Sequence, residues 1–171
     1  MICNWMERFI PKADGSAMAE RLLKSIAIEP MGVQDLDEVL FMSASSLILW
    51  SQNMFLEEMQ NPLAHCFMMK REGLSTHQGV GFICFRNIEN ESELLNICIH
   101  PDYRQLGIGK HLMQFYFDFC CQYPIKTFYL EVQSSNLPAI HLYQRLSYQM
   151  IGMRKKFYQG KYDAILMAKK A

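Results

Sequence analysis

The sequence predicts a mixed α/β domain, a sheet of about seven strands flanked by about four helices. Three observations carry that expectation. Apolar residues alternate with period two in several short runs and recur at three- and four-residue steps in others. The run Leu94, Leu95, Ile97, Ile99 ends at His100-Pro101 and turns through Gly107 and Gly109 into a helical pattern. The elements then follow one another as β-α-α-β-β-β-α-β-α-β-β, with no internal repeat and no domain linker.

Residues 1–24 lack sustained periodicity, broken at Pro11 and Asp14-Gly15-Ser16, and read as an N-terminal extension with a short helix at Ala17–Lys24. The single domain occupies residues 25–171. Ser25–Glu29 is a short strand with Ile26 and Ile28 on one face, ended by Pro30. Gln34–Ser46 is helical, with Val33, Leu36, Leu40 and Phe41 inward and Asp35, Asp37 and Glu38 early, where the helix dipole favours them. Ser51 caps another helix, with Met54, Phe55 and Met59 inward and Pro62 beyond its end.

Three strands come next, His65–Lys70, Gly79–Arg86 and Glu93–His100, joined by polar turns at Glu72–Gln78 and Asn87–Glu91. Behind the glycines, Ile108, Leu112, Phe115 and Phe119 form the inward stripe of a helix. Lys126–Gln133 is a strand rich in β-branched and aromatic residues. Asn136 caps a helix that tolerates Pro138 in its first turn and runs to about Leu146. Gln149–Phe157 and Lys161–Ala168 close the chain as a hairpin across Gln159-Gly160.

A chain of 171 residues can bury a sizeable core in one domain. Its 17 basic residues balance 17 acidic ones, so bulk charge favours neither nucleic acid nor an anionic membrane. No apolar run approaches the ~20 residues of a membrane span, and MICNWMERFIPK lacks the apolar core of a signal peptide. The six cysteines form no Cys-x-x-Cys pair and, like the five histidines, no metal-ligand spacing. Cys84, Cys98, Cys120 and Cys121 read as small buried hydrophobes of a reducing cytoplasm.

The junction at residues 94–112 carries the first chemical signal. A strand that turns through glycines into a helix leaves unpaired N–H groups aimed at one place, at the positive end of the helix dipole. Such a place suits phosphate, provided no side chain holds the backbone away. A Rossmann fingerprint wants glycine at Leu112, a Walker loop wants Gly-Lys-Ser/Thr, and neither is present. An ordinary glycine turn remains open on the loop alone. Arg104-Gln105-Leu106-Gly107-Ile108-Gly109 resembles the Arg/Gln-x-x-Gly-x-Gly/Ala loop of the Gcn5-related N-acetyltransferases (GNAT), which holds the pyrophosphate of acetyl-coenzyme A.

The second half extends the resemblance. LEVQSSNLPAIHLYQRLSY, with GMRKKFY and DAILM, is similar to the bacterial ribosomal-protein-alanine N-acetyltransferases. That branch carries Leu-Glu-Val-Arg-x-Ser-Asn-x-x-Ala-Ile-x-Leu-Tyr-x-x-Leu-Gly-Phe, then Arg-x-x-Tyr-Tyr and Glu-Asp-Ala. The match spans Ile26 to Lys169, and Trp50-Ser51 corresponds to a family Trp-Ser. It implies a mostly antiparallel sheet splayed for acetyl-coenzyme A, direct transfer from that co-substrate, and no metal. It also implies a protein N-terminus, ribosomal in origin, as the acceptor, without nucleic-acid or membrane partners.

The chemistry agrees with this resemblance. An α-amine with a pKa near ~8 arrives largely protonated at neutral pH and must lose a proton before it attacks a thioester. Glu131 matches the family's general base, and Tyr143 the general acid that protonates the departing thiolate. Each has a bland reading beside it: a polar residue on a half-exposed strand, and a core tyrosine sharing a face with Ala139, Ile140 and Leu146. By the same resemblance Ile97, Cys98 and Ile99 line the acetyl group and pantetheine arm, with one N–H holding the thioester oxygen. Gln105, Leu106, Gly107, Ile108, Gly109 and Lys110 would wrap the pyrophosphate, while Asn136 and Tyr143 touch the arm. An acyl-cysteine on Cys98 is disfavoured, since an apolar strand raises a thiol pKa.

Three departures bear on the match. Ser147-Tyr148 stands where Gly-Phe is usual, the Tyr158–Asp163 turn is short with Tyr162 in an acidic place, and residues before Ile26 have no counterpart, which leaves Met18 open as an alternative start. Competing readings are a small-molecule amine (polyamine or aminoglycoside) acetyltransferase, expected to show an acidic cleft, and an acetyl-coenzyme A-binding module without turnover, which would need neither Glu131 nor Tyr143.

Overall fold

The structure, a computed structural model, describes residues 22–44, 50–71 and 78–171. The expectations for residues 1–21, for the end of the Gln34–Ser46 helix and for most of the Glu72–Gln78 turn lie outside the described residues. Residues 22–24 are helical. The ordered elements are β1 (Ile26–Pro30), α1 (Leu36–Ser43), α2 (Gln52–Gln60), β2 (Ala64–Arg71), β3 (Gln78–Ile88), β4 (Glu91–Ile99), α3 (Ile108–Cys120), β5 (Thr127–Gln133), α4 (Leu137–Arg145), β6 (Gln149–Tyr158) and β7 (Tyr162–Lys170). They are the predicted set in the predicted order. Pro30 lies within β1, opposite Phe67, which an edge strand tolerates.

One sheet runs through the molecule in the order β1-β2-β3-β4-β5-β7-β6. Every pairing is antiparallel except β4 with β5. That parallel pair needs a crossover connection, and α3 supplies it. The core splits by face. On one, Ile83, Phe85, Leu94, Phe128, Leu130 and Val132 pack with Leu112, Met113 and Tyr116 of α3 and with Ile140 and Tyr143 of α4. On the other, Leu36, Val39 and Met42 of α1 and Phe55 of α2 cover Met68, Phe82, Cys84 and Cys98. Their main sheet contacts are with β2, β3 and β4.

Several inward faces differ from expectation. Val33 and Phe41 are exposed, and Leu36, Val39 and Met42 are buried instead. Val33 belongs to a separate 3-10 turn, Val33–Asp35, so it does not follow the period of α1; Phe41 stacks on His100, with ring centroids 5.8 Å apart. In α2, Met54 is exposed and Glu58 buried, because Glu58 forks onto Arg86 of β3, with Oε1 2.7 Å from Nε and Oε2 2.5 Å from Nη2. The centre of α3 is held by Met113, Tyr116 and Cys120, with Phe115 and Phe119 half-buried against Phe67 at its edge. Cys121, the C-cap of α3, is exposed rather than buried.

Turn chemistry follows the sequence closely. Ser51 Oγ accepts from Met54 N–H at 3.3 Å, and Asn136 Oδ1 accepts from Ala139 N–H at 3.3 Å. Gln159 and Gly160 both take positive φ, 52° and 68°, as the tight β6–β7 hairpin demands. Ser147 sits in the left-handed region at φ 69°, where the resembled motif has glycine, at a cost of about 1 kcal/mol. Among the described residues no helix is long and apolar enough to cross a membrane, and no group of three or more His, Cys, Asp or Glu is placed to hold a metal.

Candidate active site

The site is built where the sheet stops pairing. β4 and β5 run side by side from Glu91↔Thr127 to Leu94↔Leu130, and the ladder ends there, although both strands continue. A bulge in β4 marks the point: Cys84 faces Asn96 and Phe85 faces Leu94, leaving Leu95 as the extra residue. The bulge also switches strand parity. Leu94 packs toward α3 before it; Ile97 and Ile99 pack toward α3 after it, with Cys98 on the α1 side. His100 donates its N–H to Val80 O of β3 at 2.9 Å, so alternation aims the backbone groups of Ile97 and Ile99 away from β3, into the gap.

The glycine loop lies at the open end of this gap. Gln105 and Gly107 take φ of 63° and 80°, both left-handed. Gly107 is the N-cap of the thirteen-residue helix α3, with no side chain bonded across it, and the first helical bond runs from His111 N–H to Gly107 O at 3.1 Å. The N–H groups of Ile108, Gly109 and Lys110 therefore have no acceptor within the helix. A Cβ on Gly107 would meet nothing within 4 Å among the described residues, so the loop carries no close neighbour at that position. Gly109 is closer to its surroundings: a Cβ there would lie 3.4 Å from Leu142 of α4. Arg104 Nε donates to Ile99 O at 3.0 Å, tying the loop to the end of β4. An open, positively polarised cradle without a side chain in it fits a diphosphate.

Glu131 is the first residue of β5 beyond the ladder. Its side chain lies on the sheet face opposite Leu130 and Val132, beside the strands that carry the main contacts of α1 and α2. That face forms a groove of about 310 Å³ lined by Arg86, Glu91, Glu93, Glu131, Ile151 and Arg154, among others. Glu131 Oε1 lies 2.8 Å from Arg154 Nη1 of β6. Glu93, facing Tyr129 in the β4–β5 register, makes no ion pair within the described residues. Burial, then the charge of Glu131, push its carboxyl above the usual range, against the pull of Arg86 and Arg154.

Tyr143 approaches from the other side of the sheet. It is 5% exposed, packs edge-on to Tyr148 at 5.8 Å, and makes no hydrogen bond among the described residues. Burial, with a smaller push from Tyr158, raises its phenol above the ordinary value, so it stays protonated throughout the neutral range. Tyr158, at the end of β6, is itself pushed up to about 12 by burial and by the charge of Glu131. It thus lies within electrostatic reach of both Tyr143 and Glu131. Cys98 donates to Met42 O at 3.4 Å, and its thiol is pushed up by burial despite the nearby Arg104. Asn136 is exposed, with its oxygen already engaged as a helix cap.

Sequence reasoning missed part of this setting. Arg154 and Tyr158 stood inside the quoted Arg-x-x-Tyr-Tyr match without being assigned a role. Glu93 gave only the period-two alternation of Glu91, Glu93 and Leu95, and its place in one groove with Glu131 depends on a parallel pairing that periodicity does not encode. Gln133 replaces the motif's arginine, and its carboxamide is buried with neither Oε1 nor Nε2 bonded among the described residues.

Comparison with known proteins gives one consistent result. The model of the acetyltransferase (GNAT) family matches residues 34–148. The [ribosomal protein bS18]-alanine N-acetyltransferase of Escherichia coli (strain K12) is 30% identical over 122 residues, covering 61% of this chain and 82% of that protein. A Bacillus subtilis (strain 168) protein provisionally named for the same activity is 30% identical over 145 residues, 82% of this chain and 93% of its own. The crystal structure of the Escherichia coli ribosomal-protein-S18-alanine N-acetyltransferase superposes with a TM-score of 0.75 at 27% identity, covering 85% of this chain and 93% of that one.

Proposed function

The chain belongs to the GNAT acetyltransferase family and is an acetyl-transferring enzyme; from that premise we propose that it acetylates the N-terminal α-amine of a protein, that of an alanine-initial small-subunit ribosomal protein. The observation that carries this reading is the 30% identity to a relative named for bS18 alanine acetylation across 82% of this chain. Acetyl-coenzyme A, the co-substrate, supplies the activated acetyl group. The N–H groups at the start of α3, with Gln105, Leu106 and Lys110 beside them, would receive its pyrophosphate. The gap-facing backbone of Ile97 and Ile99 would flank the acyl end. The carboxylate of Glu131 would take the proton that the ammonium must lose, directly or through water. Arg154 orients that carboxylate before the amine arrives. The phenol of Tyr143, held protonated by burial, is the donor for the thiolate that leaves.

A second reading is kept by one observation. A polyamine acceptor was expected to need an acidic cleft with more than Glu131 in it, and Glu91 and Glu93 line the same groove. Incubation with acetyl-coenzyme A and either alanine-initial ribosomal peptides or spermidine, read by mass spectrometry, separates the two. Acetylation at the peptide α-amine supports the proposal; a product with spermidine alone refutes it.

A further inference from the structure

Gln133 is 3% exposed, and both polar atoms of its carboxamide are without a hydrogen-bond partner among the described residues. Leaving a buried donor or acceptor unpaired costs roughly 1–3 kcal/mol per group, and native proteins keep few of them. Two such atoms on one side chain are unusual in a folded protein. Their place is informative. Gln133 is the last residue of β5, two beyond Glu131 and on the same strand face, past the point where β4 ceases to pair with it. Its register partner on β7 is Ala164, and its backbone carbonyl is already engaged, accepting from Asn136 N–H at 2.9 Å. Asn96 of β4, also beyond the end of the β4–β5 ladder, is buried too, with its Nδ2 unpaired among the described residues.

We infer that Gln133 is a ligand-binding residue whose carboxamide pairs with a secondary amide of a bound substrate. A carboxamide offers one acceptor and two donors, the complement of a peptide group's N–H and C=O. Both substrates of the proposed reaction carry such groups, the pantetheine arm of acetyl-coenzyme A and the backbone of the acceptor peptide. An arginine, which stands at this place in the resembled motif, can donate but cannot accept, so the two-way pairing belongs to this chain. The inference rests on the acetyl-transfer reading for the identity of its ligands.

Gln133→Met keeps the length and removes both polar atoms. The ligand-free variant is expected to melt at or above the wild-type temperature, because no described residue bonds to the lost groups. Calorimetry with acetyl-coenzyme A and the KM for an alanine-initial peptide form the two arms. At least about a fivefold loss is expected in one of them, the worth of a single hydrogen bond. Loss on the first arm assigns the partner to the pantetheine amides, loss on the second to the peptide backbone. A variant that melts lower and binds both ligands as wild type does would make Gln133 a structural residue and overturn the inference while peptide acetylation stands. Wild-type protein that neither binds acetyl-coenzyme A nor acetylates peptide would instead sink the function, and this inference with it.

Discussion

Tyr143→Phe separates chemistry from packing. The ring keeps its place beside Tyr148 and among the α3–α4 core, and only one oxygen is removed. The usual penalty for such a change is a lost hydrogen bond of about 1 kcal/mol, equivalent to about 2–4 °C in melting temperature for a chain of this size. Here the hydroxyl bonds to no described residue, so that penalty does not arise, and the melting temperature is expected to stay within about 2 °C of wild type. The rate should respond differently. If the phenol protonates the departing thiolate, its loss lowers kcat at least about tenfold, or about 1.4 kcal/mol of barrier, with little change in KM. Release of free thiol, followed at saturating peptide, measures this directly. An acetyl donor whose thiol has a lower pKa should recover most of the deficit, since that thiolate departs without needing the proton. Equal kcat for the two proteins within about twofold would remove Tyr143 from the mechanism and leave it a core tyrosine.

Three further outcomes follow from the geometry. Glu131→Gln keeps the shape but cannot accept a proton, so turnover should fall about 10²-fold or more with cofactor affinity intact; the broken pair with the half-exposed Arg154 should cost under about 1 kcal/mol of stability. An unchanged rate would make Glu131 merely the polar face of a strand. Gly107→Val should weaken acetyl-coenzyme A binding in calorimetry, whereas Gly160→Val, with similar positive φ and equally open surroundings, should not; equal effects would mean backbone strain alone. The phenols of Tyr116, Tyr143, Tyr148 and Tyr158 are all raised, chiefly by burial. A raised folded-state value means the unfolded chain releases its proton first. Their stabilisation is thus complete below about pH 10 and lost as pH climbs through the folded values. Urea midpoints should drop between pH 9 and pH 11, and a flat profile would contradict the burial of these hydroxyls.

Most of the fold was legible because its signals are local. Ser51 and Asn136 announce helix starts by their own side chains, and Gln159-Gly160 announces a hairpin by the φ it must adopt. What misled the reading of α1 and α2 was long-range. Leu36, Val39 and Met42 satisfy a helical period as well as Val33, Leu40 and Phe41 do, and only the sheet beneath decides between them. Glu58 looks like a surface residue until Arg86, 28 positions on, makes its burial affordable.

The site divides along the same line. Its cradle is local, since the strand, the glycines and the helix that follow one another in sequence are also neighbours in space. Its cleft is not, because it exists where two strands cease to pair, and a missing ladder has no residue of its own. The bulge at Leu95 shows why. The run Leu94, Leu95, Ile97, Ile99 reads as a strand with one irregular step, and that step is what carries Ile97 and Ile99 to the α3 side while leaving Glu93 on the groove side. A strand of strict alternation would have kept Glu93, Ile97 and Ile99 on one face, and the half of the site proposed to meet the cofactor would have shared a surface with the half proposed to meet the amine. The extra residue separates them.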